Sequence, residues 1–228
     1  MSLLEIRALR KGFRSPDGHL QPVVDIPEFS LAAGQAVALA GPSGTGKTTF
    51  LNLIAGILTP DSGSIRIDGQ EIVGMTEHGR DRLRANAIGY IFQSFNLLQG
   101  FTCLENVVLG MSFGAGANPA RATDLLRRVG LGDRLHHFPR QLSTGQQQRV
   151  AVARAMAGKP RLVLADEPTG NLDPANAREA LALIRETCAE NGSALLLVSH
   201  DRDILGAFDN VPSLADINRA ARPQPARA

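Results

Sequence analysis

The chain has 228 residues, 24 basic and 22 acidic side chains, and a formal net charge of +2. So balanced a charge gives no argument for a nucleic-acid or an anionic-membrane partner, and the length suits one large α/β domain with a buried core. Tryptophan is absent and aromatic residues make up only 4% of the chain, which argues against aromatic stacking platforms for single strands or glycans.

The cysteines and the apolar stretches restrict the type of protein further. Cys103 and Cys188 lie far apart with no metal-ligand spacing, so we interpret them as reduced residues of a cytosolic protein, with a disulfide as the less favoured alternative. Residues 1–10 lack the long apolar centre of a signal peptide. The apolar stretches 51–58 and 194–198 are far shorter than a membrane span. We therefore expect a soluble chain that reaches a membrane only through a partner.

The first 92 residues predict strands interrupted by one helix. Residues 3–9 alternate apolar and charged side chains, which predicts a strand near the edge of a sheet. Helical spacing of apolar residues predicts a helix over 48–58. The other predicted strands cover 23–31, 36–40, 64–69 and 87–92.

From about residue 94 the spacing becomes helical. Helices are predicted over 104–109 and 121–129, so 94–142 is interpreted as a mostly helical insert. The predicted elements that follow are the helices 146–158 and 174–190 and the strands 161–165 and 193–199. This alternation predicts a largely parallel sheet with helices on its faces. The Ala-, Arg- and Pro-rich tail 220–228 is predicted to be disordered.

The strongest motif lies between the strand 36–40 and the helix 48–58. Gly41–Thr48 meets the G-x-x-x-x-G-K-[ST] pattern of a phosphate-binding loop, in the strand, turn, helix context that the pattern requires. Glycines let backbone N–H groups face an anion, and the helix N-terminus adds a positive dipole. Lys47 is predicted to contact the β- and γ-phosphates, and Thr48 to ligate Mg²⁺. A glycine-rich turn that merely links strand to helix is the alternative. The predicted nucleotide contacts are Gly41, Pro42, Ser43, Gly44, Thr45, Gly46, Lys47, Thr48 and Thr49.

Two adjacent carboxylates follow the apolar strand 161–165. In a phosphate-loop protein an acid at such a strand end can hold Mg²⁺ through its water shell, and we predict this role for Asp166. Glu167, pointing the other way, is predicted to polarise the water that attacks the γ-phosphate. The alternative is a strand end whose acids are merely solvated.

A capped helix start follows the insert. Ser143 and Gln146 have the S-x-x-Q spacing of a capping box, and a helix N-terminus attracts anions. Residues 142–146, Leu-Ser-Thr-Gly-Gln, resemble the signature motif of the ABC ATPases, the nucleotide-binding subunits of ABC transporters, whose usual form is L-S-G-G-Q. Ser143, Gly145 and Gln146 match that form and are implied to contact a γ-phosphate. Thr144 replaces the first glycine, which leaves affinity and dimer geometry open.

Four other residues match motifs of this family. The resemblance implies that Gln93 is a ligand of Mg²⁺ or water, and that Asp173 belongs to a loop that crosses to an opposite subunit. It implies that His200 contacts the γ-phosphate and that Phe13 stacks on adenine. Without the resemblance, the alternatives are structural. Asp173 would be interpreted as a helix cap before Pro174, His200 as a surface or core residue, and Phe13 as a core residue.

The resemblance also implies an architecture. It is an α/β P-loop NTPase with a mostly parallel central sheet, an N-terminal antiparallel β region and a helical subdomain inserted before the signature motif. One domain over 1–219 would include that subdomain at about 94–158. In the family two subunits pair head to tail, and each ATP, with Mg²⁺, lies between one phosphate loop and the other subunit's signature segment. A homodimer is therefore expected, with Lys47, Glu167 and His200 as the catalytic residues.

Within the family, residues 92–98, 104–107 and 165–173 look most like the lipoprotein-releasing, macrolide-efflux and cell-division branch. That likeness implies an ATPase that drives an integral-membrane permease, in export or mechanotransmission, from the cytoplasmic face of the cell membrane. One alternative is a regulatory or scaffold ABC ATPase with slow turnover. Another is a non-transport ABC ATPase acting on DNA, but the interval 94–142 is too short for the long coiled coil or zinc module of those proteins. No nucleic-acid partner is expected.

Overall fold

A computed structural model describes residues 2–114 and 116–221, which form two four-stranded sheets and the helices around them. The strands are β1 (Ser2–Arg14), β2 (Leu20–Ala32), β3 (Ala36–Ala40), β4 (Ser62–Ile67), β5 (Gln70–Glu71), β6 (Ile88–Ile91), β7 (Leu162–Asp166) and β8 (Ala194–Ser199). The helices are α1 (Lys47–Ile54), α2 (Glu77–Ala87), α3 (Cys103–Ser112), α4 (Pro119–Arg128), α5 (Thr144–Met156), α6 (Pro174–Asn191), α7 (Arg202–Leu205) and α8 (Leu214–Ile217).

One sheet is parallel throughout and positions the candidate site. Its strand order is β3-β8-β7-β6, and every neighbouring pair is parallel. All residues of β7 and β8 are buried, which explains their continuous apolar sequences. The carboxyl ends of the four strands meet at one edge, where ligands bind in open α/β sheets. The predicted α/β fold with a mostly parallel sheet is confirmed.

The other sheet is antiparallel and has the order β2-β1-β4-β5. The first strand, predicted to lie near a sheet edge, is second in this order, between the edge strand β2 and β4. Its charged residues face solvent from one side of the sheet, while Leu4, Ile6 and Leu9 are fully buried. A sheet with one solvated face gives the same apolar-charged alternation as an edge strand.

The parallel sheet separates two apolar cores. Side chains of β8 alternate between them: Leu195 and Leu197 join the core under the helical region, and Leu196 and Val198 join the core shared with α1 and the antiparallel sheet. The helical region consists of α3, α4 and α5, with α3 beginning at the capping box of Thr102 and Glu105. The mostly helical insert is thus observed, with both predicted helices slightly longer.

Two helices differ from expectation. α1 ends at Ile54 rather than at residue 58, because the chain turns at Gly56, whose φ of +65° is left-handed. α2 has the polar sequence EHGRDRLRANA and buries none of its residues. It therefore offers no apolar stripe from which a helix is predicted.

The segment after His200, for which the sequence predicts no element, contains α7, α8 and a 3₁₀ turn at Arg219–Ala221. The predicted disorder of 220–228 is wrong for residues 220 and 221, because the Ala220 N–H donates to the buried Asn218. Residues 222–228 lie outside the described part of the chain. Among the described residues, no helix is long and apolar enough to cross a membrane.

Candidate functional site

The glycine-rich loop joins the end of β3 to the start of α1. Gly44 and Gly46 have φ angles of +81° and +90°, which a residue with a side chain rarely adopts. A Cβ atom at Gly46 would also lie 2.8 Å from the carbonyl oxygen of Val23. Gly46 therefore has to be glycine both for its backbone angle and for its packing, and it directly precedes the N-terminus of α1, an anion-attracting position.

Lys47 is held inside this loop. Its side chain is 7% exposed, and Nζ donates to the carbonyl oxygens of Gly41 at 2.6 Å and Pro42 at 3.0 Å. The same atom forms an ion pair with Glu167 Oε1 at 3.0 Å. The ammonium group is thus fixed at the mouth of the loop and paired with an anion from the neighbouring strand end.

Glu167 follows β7 and lies at the centre of a hydrogen-bonded cluster. Its Oε1 is 2.8 Å from His200 Nδ1, and its Oε2 accepts from Ser199 Oγ at 3.2 Å. Burial acts to raise the pKa of Glu167, but the hydrogen bonds from His200 and Lys47 outweigh burial and lower that pKa below its usual value. Its φ of +45° is left-handed for a non-glycine residue, a strain that often occurs at functional sites.

Asp166, the last residue of β7, has a pKa that is shifted in the opposite direction to that of Glu167. Burial, together with the nearby charge of Glu167, raises the pKa of Asp166 despite a hydrogen bond from Thr48. Its Oδ1 is buried and has no hydrogen-bond partner among the described residues. A bare carboxylate oxygen next to the Thr48 hydroxyl fits Mg²⁺, which takes one or two protein oxygens and completes its shell with waters and phosphates. The described residues contain no cluster of three or more His, Cys, Asp or Glu that could hold a metal alone.

His200 and Gln93 border this cluster from two sides. The His200 side chain is 56% exposed, so the ring pairs with Glu167 and still faces solvent. Gln93 follows β6, and its carbonyl oxygen accepts from Asn171 Nδ2 at 2.8 Å. Its Nε2 lies 3.1 Å from where a Cβ of Gly170 would stand. Gln93 is therefore adjacent to the loop that follows Glu167.

The signature-like segment belongs to a different surface. Ser143 caps α5: its Oγ accepts from Gln146 N at 3.3 Å, and Gln146 Oε1 accepts from Ser143 N at 3.1 Å. The predicted capping box is confirmed. A Cβ at Gly145 would lie 2.9 Å from Asn176 Oδ1, so this helix start packs against the start of α6, which Asp173 caps. Ser143 and Thr144 are exposed.

Phe13 lies near the end of β1, and its residue surface is 42% exposed. Lys11 Nζ is 5.6 Å from the centre of its ring. The core alternative for Phe13 is therefore wrong. An exposed aromatic face on the antiparallel sheet stays available for stacking.

Two contributors to the site were missed from the sequence. Ser199 donates to Glu167, and its own Oγ accepts from Asp201 N at 3.1 Å; its place directly before His200 was the only available indication. Arg154 of α5 donates to the carbonyl oxygens of Phe95 at 2.7 Å and Asn96 at 2.5 Å. Both acceptor residues have positive φ angles, +56° and +49°, so the guanidinium holds the strained loop that follows Gln93.

Comparisons with known proteins agree with this arrangement. A family model described as ABC transporter matches residues 24–170. The chain is 37% identical over 217 residues to a lipoprotein-releasing system ATP-binding protein, LolD 2, of Caulobacter vibrioides, covering 94% of this chain and 95% of that protein. It is 41% identical over 219 residues to a macrolide export ATP-binding/permease protein, MacB, of Rhodopirellula baltica, of which it spans 32%.

Solved structures show the same fold. The dimeric, post-hydrolysis ATP-binding cassette MJ0796 bound to ADP and Pi superposes with a TM-score of 0.84 at 31% identity, over 92% of this chain and 94% of that one. A second structure, described as dimeric MJ0796, a bacterial ABC transporter cassette, gives the same TM-score.

Proposed function

The chain belongs to the ABC transporter family, and we propose that it binds ATP at Gly41–Thr48 and uses ATP-driven dimerisation and hydrolysis to drive a membrane permease. One observation carries the proposal. Lys47, Asp166, Glu167 and His200 come together at one edge of the parallel sheet, beside a loop with the geometry of an anion site. This arrangement suits phosphoryl transfer, which depends on positioning and on electrostatic stabilisation.

In the proposed mechanism the triphosphate replaces Glu167 as the partner of Lys47. The ammonium group and the loop N–H groups bind the β- and γ-phosphates, and the released Glu167 turns to the attacking water. The water oxygen bonds to the γ-phosphorus, the bond from that phosphorus to the bridging oxygen of ADP breaks, and Glu167 accepts the water proton. His200, which contacts Glu167, would also contact the γ-phosphate.

Thr48, Gln93 and Asp166 would hold Mg²⁺, which neutralises phosphate charge when bound. The bare Oδ1 of Asp166 supports its part in this set. Phe13 supplies the adenine-stacking surface. Each of these assignments is part of the proposal and rests on the positions described above.

A second copy of the chain completes the site. Ser143, Gly145 and Gln146 form a capped helix start, exposed at Ser143, that packs against Asn176 in the first turn of α6, which Asp173 caps. A helix N-terminus that faces solvent suits the γ-phosphate held by a facing subunit. The dimeric cassettes described above support this arrangement.

The permease has a surface on which to dock. A cleft of about 910 Å³ opens between α2, β6 and α3, and two apolar side chains at it are exposed: Ile57 by 47% and Phe113 by 78%. Exposed apolar side chains grouped at a cleft mark interaction sites. The charged Asp81, Arg82 and Arg84 surround them, which suits an amphipathic segment of a membrane subunit. This partner would hold the chain at the cytoplasmic face of the membrane.

The slow-turnover alternative is favoured by one observation. Lys47 and Glu167 are paired and buried, so nucleotide has to break this ion pair before it reaches the ammonium group. A regulatory or scaffold ATPase would keep its low rate when the permease is added. A transport ATPase would be stimulated, and the steady-state rate with and without the permease distinguishes the two.

The direct test is Glu167→Gln. The variant removes the proton acceptor and frees Lys47, so we expect ATP affinity equal to or above that of the wild type, an ATP-dependent dimer in size-exclusion chromatography, and turnover lowered at least about a hundredfold. The matched control is Glu190→Gln, which removes an exposed carboxylate of α6 that pairs with Arg128 of α4. A Glu167→Gln protein that hydrolyses ATP at the wild-type rate would contradict the mechanism.

A further inference from the structure

Residues 210–221 pack along the phosphate loop although they are far from it in sequence. They run beside the edge of β3 that β8 leaves open: Ala40 N donates to the carbonyl oxygen of Pro212 at 3.0 Å, and Ala40 and Ser213 form a parallel bridge. Leu214 is fully buried, and its Cβ lies 3.4 Å from where a Cβ of Gly41 would stand. This segment therefore flanks the loop at its first glycine.

Asn218 joins three parts of the chain through one buried carboxamide. The residue is 1% exposed. Its Oδ1 accepts from Asp25 N at 2.8 Å and Ala220 N at 3.2 Å. Its Nδ2 donates to the carbonyl oxygens of Val23 at 2.9 Å and Thr45 at 3.3 Å. The first two partners are N–H groups and the last two are carbonyls, so only one orientation of the amide satisfies all four.

The last of these contacts lies in the phosphate loop itself. Thr45 is at the turn between the two left-handed glycines, and the Cβ position of Gly46 is 2.8 Å from Val23 O and 3.6 Å from Asn218 Nδ2. Val23 and Asn218 thus form the wall against which the loop turns toward α1. Movement of this wall would change the direction of the loop N–H groups.

We propose that Asn218 is a positioning residue of the nucleotide site, which holds the phosphate loop in its binding conformation by tying Thr45 to β2. The proposal rests on the proposed binding of ATP at Gly41–Thr48. It makes the C-terminal segment an integral part of the site. Asn218 does not touch the reacting atoms, so its effect falls on nucleotide affinity and not on the chemical step.

The test is Asn218→Asp, which keeps the size of the side chain but replaces its two N–H donors by an acceptor facing the carbonyl oxygens of Val23 and Thr45. We expect the KM for ATP to rise about tenfold or more, while kcat at saturating ATP stays within about twofold because Glu167 and His200 are untouched. The matched control is Asn210→Asp, the same chemical change at an exposed position of the same segment. It should keep the wild-type KM.

A second measurement guards against a purely structural effect. Amide hydrogen exchange in the nucleotide-free protein should be faster at residues 44–46 in Asn218→Asp than in the wild type, with the core strands β7 and β8 unchanged. If Asn218→Asp fails to fold, Asn218→Ser is measured in the same way. A variant with altered packing but the wild-type KM and loop exchange overturns the proposal. A wild-type protein that neither binds nor hydrolyses ATP contradicts the proposed function instead.

Discussion

The sheet edge that carries Lys47 and the helix start that carries Ser143 are built in opposite ways. At the sheet edge, Lys47, Asp166 and Glu167 are 6–7% exposed and are oriented by carbonyls, hydroxyls and each other. At the start of α5, Ser143 is exposed, and its hydroxyl and N–H form the hydrogen bonds of its own capping box. The sheet edge is enclosed within its own subunit, whereas the start of α5 faces solvent.

This difference in burial indicates which part of the proposed site acts within one subunit and which part acts on a facing subunit. Buried, mutually bonded groups are preorganised to stabilise charge within their own subunit. A helix N-terminus facing solvent favours an anion brought from elsewhere. Variants in the two regions should therefore differ in kind: those at the sheet edge change ATP binding by a single chain, and those at the helix start change the assembly of two chains.

The largest effect is expected from Lys47→Ala at the sheet edge. The change removes the cation that holds the phosphates and deprives the buried Glu167 of one charged partner. We expect ATP affinity to fall at least about a hundredfold, as measured by titration with a fluorescent ATP analogue. Arg127→Ala, at the exposed ion pair with Asp124, is a control for loss of one positive charge. Equal affinities for the Lys47→Ala and wild-type proteins would remove Lys47 from the site.

A smaller and different effect is expected from Ser143→Ala. Loss of the cap destabilises α5 by about 1 kcal/mol and removes the hydroxyl proposed to contact the γ-phosphate of a facing subunit. Dimerisation in the Glu167→Gln background, followed by analytical ultracentrifugation at several ATP concentrations, should weaken about tenfold. Binding of ATP to the monomer should be unchanged.

Thr102→Ala provides the matched control for this experiment. Thr102 and Glu105 form the same kind of capping box at the start of α3, in the same helical region, so the loss of helix stability is comparable. Its dimer should form as in the parent protein. If both variants weaken dimerisation equally, the Ser143 effect is one of helix stability. The proposal that the start of α5 acts in the assembly of two chains would then be contradicted.

The smallest effect is a change in the pH dependence of stability. The pKa of Glu167 lies below its usual 4.5 in the folded chain, because hydrogen bonds from His200 and Lys47 outweigh burial. Its ionised form therefore stabilises the fold above about pH 4.5, and this contribution is lost as the pH falls through the lowered pKa. Urea unfolding across that range should show that the free energy of unfolding falls less steeply with acid in Glu167→Gln than in the wild type. Ser143→Ala should lower the free energy of unfolding by the same amount at every pH.

The sequence was most informative where local pattern and tertiary role coincide. The strand before Gly41, the loop itself and the paired acids at the end of β7 could be predicted because each is a contiguous motif in a strand-end context. The capping box at Ser143 was equally visible, because its two members are three residues apart. Such features depend on neighbours in the chain.

What could not be predicted depends on contacts between distant segments. α2 has no apolar stripe because it buries none of its residues. The ion pair of Lys47 with Glu167 joins residues from two separate strand–loop units, and Asn218 reaches Thr45 across more than 170 positions. In each case the contact depends on how distant segments pack around the sheets, and a local sequence pattern carries no information about that packing.

The hydrogen bonds from Arg154 to the loop after Gln93 have a mechanical consequence. Its guanidinium anchors the carbonyls of Phe95 and Asn96 to α5, and α5 is the helix that begins at Ser143. Left-handed φ angles are disfavoured in Phe95 and Asn96, so the hydrogen bonds from Arg154 hold the loop in a conformation that it would otherwise leave. Arg154 thus links the loop after Gln93 to α5, so a displacement of that loop would be passed to the helix that begins at Ser143.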